Sequence, residues 1–367
     1  MPHHSFVVNT FTGWAMQPLG RILRYVCRVV FGLCAVGLLA CQPNNTTGVL
    51  PLPRLPPGPI TLRVAYVVND RLPRMSGVQL AELLTSLGNT VQAHFGVELQ
   101  FSAVTEIPIE DVFKGIPDAK RTLALDDIFD FKSGGGDVDR LKAKFTEQFA
   151  AQTEPLADRI AFAQPHAPAL RGNASIQEFA SAIADLQLQR LTQWRDLKAM
   201  DGGKAIDDKP YNEFTLWLAL GYSDGLPFEL VLTNQVIASA EYSYPSVHSA
   251  IRGGYTNGIT THNKQSRYGT MSVWSTFAFT DNGDYWVAMR NGERYAPMEA
   301  AQLAGASAAH EIGHQLFHLT HPFARPACVM SPVPMFAYRE WRSRLSAADC
   351  RLGSDPSMTP GAYRFQY

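Results

Sequence analysis

The sequence predicts an α+β protein. Segments of β-branched and apolar residues, such as Thr61–Val68, recur along the chain. Stretches with apolar residues at helical spacing separate them. The composition is that of a globular protein, with 46% hydrophobic and 18% charged residues among 367.

Taken in order, residues 61–68 read as a strand. Ser76 then caps a helix whose apolar face is Leu80, Leu83, Leu84, Leu87 and Val91, and Gly96 ends it. Val97–Val104 alternates as a second strand, so the body opens as a right-handed βαβ unit. Residues 105–205 read as a helical insertion, with a loop at Gly134-Gly135-Gly136 and helices near 140–152 and 174–200. His166, flanked by prolines, reads as a loop residue. Strand character returns at Phe228–Ile237 and Met271–Phe279. The Gly-, Tyr- and Asn-rich stretch Ser243–Arg267 between them reads as a loop, whose His248 and His262 could line a cleft but lack ligand spacing and are read as surface residues. Tyr285–Ala288 reads as a further short strand. Pro297 then suits the first turn of a helix over about 298–319, and Ala337–Leu352 reads as a last helix.

The formal net charge is −1, so no basic excess points to a nucleic-acid partner. The first 40 residues differ from the rest. Arg21, Arg24 and Arg28 precede an apolar run, Val29–Ala40, too short to span a bilayer and of the length of a secretory core. The run ends Leu38-Leu39-Ala40-Cys41, which resembles the lipobox of bacterial lipoproteins. That resemblance implies cleavage before Cys41, lipid on its thiol and attachment to the cell envelope, with Gln42 leaning toward the outer membrane. Loss of the leader removes three arginines and no acid, taking the charge from −1 to −4. Residues 41–60 then form a Pro-rich tether. Export leaves Cys328 and Cys350 as a pair in an oxidising compartment, 22 positions apart. A bridge between them would contribute about 3 kcal/mol in the chain-entropy picture.

The chemistry concentrates at His310-Glu311-Ile312-Gly313-His314-Gln315-Leu316-Phe317-His318-Leu319-Thr320-His321. The first five residues are HExxH. On a helix, His310 and His314 stand one turn apart, about 6 Å along the axis, and both imidazoles reach one Zn²⁺. Glu311 flanks that metal and is placed to take a proton from bound water and pass it to a leaving amine.

HExxH, a further histidine and the segment Cys328-Val329-Met330-Ser331-Pro332 resemble the metzincin metalloproteases, closest to the archaemetzincin branch. The resemblance covers about 310–332. It implies a zincin fold: a mixed twisted sheet, an active-site helix, a Met-turn at Met330 and a C-terminal helix. An N-terminal subdomain would span 61–318 and a C-terminal one 319–367. It implies a zinc endopeptidase, acting on a peptide or protein as a monomer, with the membrane met only through the lipid. Pro332 and Pro334 would stiffen a pocket wall, and Tyr338 is a candidate to assist an oxyanion.

The departures are specific. The family's turn glycine falls at Phe317 and its third histidine at Thr320. A helix continued through 318 would carry His318 about 12 Å from His310 along the axis. His321, just before Pro322, can swing back from a turning chain. The third ligand is therefore assigned to His321, with His318 packing beside the site or holding a hydrogen bond behind a ligand. One alternative takes the third ligand from Glu340, as gluzincins do. Another is a non-catalytic metal-binding envelope lipoprotein, which has no need of Glu311.

Overall fold

A computed structural model describes residues 58–349, apart from 133, 153, 207, 208, 224 and 334. The leader, Cys41, most of the tether, Pro334 and Cys350 lie outside the described residues. So does the chain beyond Cys350.

The opening strand breaks at Arg63 into β1 (Ile60–Leu62) and β2 (Val64–Val68). Helix α1 (Gly77–Phe95) starts at a capping box: Ser76 Oγ accepts from Gln79 N, and the Gln79 side chain accepts from Ser76 N. It ends at Gly96, which takes the left-handed conformation with φ 69°. The predicted second strand is also two pieces. β3 (Leu99–Phe101) pairs parallel with β1, and β4 (Thr105–Pro108) pairs parallel with β2. Two parallel pairs joined through one helix are what a βαβ unit requires.

Among the described residues, one five-stranded sheet has the order β4-β2-β5-β7-β6. β5 (Leu230–Thr233) and β7 (Thr270–Ser275) continue the parallel set. β6 (Gly258–His262) runs antiparallel to β7 at the edge, so the sheet is mixed. Alternation divides the core between its faces. Val64, Tyr66, Leu230, Leu232 and Trp274 face one apolar cluster with α1. Ala65, Val67, Val231 and Val273 face the other, with α2 (Ile109–Lys114), α3 (Asp118–Asp126) and α7 (Phe214–Tyr222).

Several expectations need correction, among them the strand predicted over Met271–Phe279, which ends at Ser275. Residues 105–108 belong to the sheet, so the helical insertion begins only after β4. It holds α2, α3, α4 (Val138–Ala151), α5 (Leu156–Ala163) and α6 (Ile176–Trp194). The stretch 243–267 is not all loop. It contains α8 (Val247–Ile251) and β6, an edge strand of Gly and Thr with little apolar signal. Tyr285–Ala288 is helical, inside α10 (Asp284–Met289), which follows the short α9 (Phe277–Thr280). Trp286 is buried among Trp194, Tyr255 and Phe277. That aromatic packing outweighs the local strand propensity.

Helix α11 (Pro297–Phe317) has Pro at its start, as expected, and is buried along almost its whole length. It lies against α1, where Ser86 Oγ donates to Gln302 O at 2.8 Å and Gln302 donates to Glu82 at 2.7 Å. The last helix, α12 (Tyr338–Arg344), is shorter than predicted. No helix among the described residues is long and apolar enough to cross a membrane.

Candidate metal centre

Polar contacts pin α11 to the sheet at the turn that carries the chemistry. Ser272 Oγ, on β7, donates to Gln315 Oε1 at 3.0 Å. Gln315 Nε2 donates to Glu229 O and Thr270 O. On β6, Thr260 Oγ1 donates to Glu311 Oε2 at 2.8 Å. Gly258 on the same strand leaves room for that carboxyl, since a Cβ there would overlap it. The rotation of the helix, and so the direction of its histidines, is set by these bonds.

The helix ends at His318, a non-glycine residue in the left-handed conformation with φ 55° and ψ 35°. His318 N donates to His314 O, and Leu319 N to Gly313 O. The turn therefore falls one residue later than the position the metzincin pattern gives to glycine, and His321 follows it by three. The Leu319 carbonyl folds back to accept from His314 Nδ1 at 2.5 Å. His318 itself is exposed, which corrects the expectation that it packs beside the site.

His310, His314 and His321 converge. Their Nε2 atoms lie 2.9, 3.1 and 3.1 Å apart. Each residue is less than a tenth exposed. His310 Nδ1 bonds to Val329 O at 3.1 Å. A carbonyl only accepts, so His310 and His314 carry their protons on Nδ1 and turn bare Nε2 lone pairs toward each other. Two such lone pairs repel. A cation among the three removes the repulsion, and nitrogens about 2.0–2.1 Å from a tetrahedral ion stand about 3.3 Å apart. Burial holds all three imidazoles neutral: His310 and His321 fall well below the usual histidine value and His314 to about 4. The donor set fits a metal ion.

The segment after the helix supports the centre from below. Cys328–Ser331 forms a turn in which Ser331 N donates to Cys328 O at 2.9 Å. Met330 is fully buried beneath Gly313. Trp341 of α12 donates to Ser331 O. Cys328 is buried and disulfide-bonded; Cys350 lies outside the described residues. Glu340 is exposed and paired with Arg344 at 2.8 Å, outside the histidine group.

Burial raises the Glu311 carboxyl to about 7, against the opposing pull of the Thr260 hydroxyl. The pocket before it is lined by Glu311, His310, His248, Asn257, Pro332 and Tyr338, among others. Tyr338 is buried and donates its hydroxyl to Asn257 Oδ1. Burial pushes its pKa up to about 12. His248, expected at the surface, instead stands edge-on to His321 with ring centres 4.8 Å apart. Its ring Nδ1 is buried without a hydrogen-bond partner. No ligand spacing marked it, because it enters from α8, 62 residues before HExxH. The helical insertion reaches the site too: Glu154 accepts from His321 N at 3.4 Å, and Phe162 packs edge-on against Phe323.

Comparison with protein-family models, curated proteins and solved structures finds no match to this chain.

Proposed function

We propose that this chain is a metallopeptidase of metzincin type, with zinc held by His310, His314 and His321. The observation that carries the reading is the convergence of three buried Nε2 atoms beside a buried carboxyl, Glu311, on the same helix. A purely structural site has no use for a carboxyl that neither ligates nor pairs with a cation. Bound zinc supplies a Lewis acid that polarises a peptide carbonyl and acidifies water. Glu311 then acts as the base, taking a proton from the attacking water and handing it to the departing amine. A pKa lifted toward neutrality suits both halves of that transfer, and a neighbouring dication favours the ionised form that begins it. Tyr338 lines the same pocket, and by exchanging its bond to Asn257 for one to the substrate it would donate to the oxyanion.

The leader and Cys41 support delivery of this activity to the cell envelope as a lipoprotein. The decisive experiment measures zinc content and cleavage of a mixed peptide library, for the mature protein and for Glu311→Gln. The wild type should hold one zinc and cleave. The variant should hold zinc and lose at least about a hundredfold in rate, the lower range for removing a general base. A wild type that binds zinc and cleaves nothing would leave the non-catalytic reading standing.

A further inference from the structure

The pocket in front of His310 and Glu311 contains a positive charge that the fold does not neutralise. Arg252 follows α8 and stands four residues beyond His248, so that both line this pocket. Its side chain is buried, with the residue only 4% exposed. One Nη donates to Asn257 Oδ1 at 3.2 Å and the other to the Val333 carbonyl. Both acceptors are neutral. Its Nε–H is buried and meets no acceptor. The titratable groups close enough to act favourably on it are Tyr338 and Tyr255, both held protonated by burial. Glu311, the carboxyl in the same pocket, is engaged by Thr260 instead. Arg190, a second cation nearby, donates to the Ile251 carbonyl and so adds charge of the same sign.

A guanidinium taken out of water without an anion is costly, and proteins supply a carboxylate where the purpose is structural. Arginine has five N–H donors in a planar fork. Two are spent on Asn257 and Val333. The rest match the two oxygens of a carboxylate. We propose that Arg252 is a substrate-binding residue that receives a carboxylate of the peptide beside the scissile bond. This rests on the metallopeptidase reading and sharpens it: the preferred substrates carry negative charge next to the bond that is cut. The carboxylate is either the free C-terminus of a short peptide or an Asp or Glu side chain, and the chemistry at Arg252 is the same for both.

The test reads binding, so it does not depend on turnover. Zinc-loaded Glu311→Gln protein is titrated with two matched pairs. One is an N-acetyl tripeptide with a free C-terminal carboxylate and its amide. The other is an N-acetyl tripeptide amide with a central Asp and its Asn twin. In at least one pair the acid should bind tenfold tighter or more, and which pair does so identifies the source. Adding Arg252→Gln should abolish the preference, and Arg252→Lys should keep part of it. A merely structural arginine would alter both members of a pair alike. Equal binding of acid and neutral twins would overturn the proposal. So would a preference that survives Arg252→Gln, which would assign the carboxylate to the metal. If Arg252→Gln does not fold, the same pairs are titrated with and without zinc. A preference persisting without zinc supports the guanidinium, and one lost with zinc overturns it. Failure of the metallopeptidase reading shows separately, as absence of cleavage of any peptide by the wild type.

Discussion

Met330 Sδ occupies the space that a Cβ on Gly313 would need. The glycine in the middle of HExxH thus admits the methionine of the turn 17 residues later, and the two together set the distance between α11 and the segment carrying Val329. Gly313→Ala should therefore behave unlike an ordinary helical Gly→Ala, which stabilises by up to about 1 kcal/mol. Overpacking against Met330 and Phe95 should instead cost about 1–3 kcal/mol. Thermal unfolding decides between the signs. Since His310 bonds to Val329 O, zinc affinity should fall with it.

The third ligand gives a ranking. His321→Ala should weaken zinc binding by more than about a hundredfold, beyond the usual effect of residues that only orient a ligand. His318→Gly should leave metal affinity unchanged, because His318 points to solvent. It should also raise stability by about 0.5–1 kcal/mol, because glycine adopts the left-handed conformation without the Cβ clash. A competitive metal titration and a melting curve on each variant check both statements. Loss of zinc in His318→Gly would refute the assignment.

A half-buried ion pair joins the break between β1 and β2 to the residue just before β5. Glu229 accepts from Arg63 Nη at 2.5 Å and from the Arg63 and Arg267 backbone amides. Burial pushes the carboxyl pKa up, but these donors outweigh it and hold it below the ordinary value of 4.5. A lowered folded pKa means the stabilisation is complete above the unfolded value and is lost as pH falls through the folded one. Glu229→Gln should cost about 1–3 kcal/mol at neutral pH, since the Arg63 side chain it leaves unpaired is partly solvated. The gap to wild type should narrow as pH drops below 4.5. Denaturant unfolding at pH 7 and in the acid range measures both.

Export is read out chemically. Intact-mass analysis of the membrane fraction should find a mature chain beginning at lipidated Cys41, and Cys41→Ser should release the protein or block its processing. Non-reducing peptide mapping should join Cys328 to Cys350. An unmodified Cys41 or a free Cys350 thiol would each contradict its half of this expectation.

Local chemistry alone determined a good part of this protein. The capping box at Ser76, the stop at Gly96, Pro297 at the start of α11 and the pairing of His310 with His314 all act within a few residues of themselves, so they are legible in order along the chain. The same holds for His321, since a chain that must end its helix before Pro322 has few ways to bring a later histidine back to His310 and His314. Tertiary structure decided the rest, because it brings together residues that sequence distance hides. β6 is an edge strand of Gly and Thr, and only its pairing with β7 and its bond from Thr260 to Glu311 show it as a wall of the site. His248 and Arg252 lie in a stretch that reads as loop, and only the packing of α8 turns them into the pocket. The turn at His318 was hidden for another reason. Glycine is expected where φ is positive, and here a histidine takes that conformation because the back-bonded carbonyls of Gly313 and His314 hold it there.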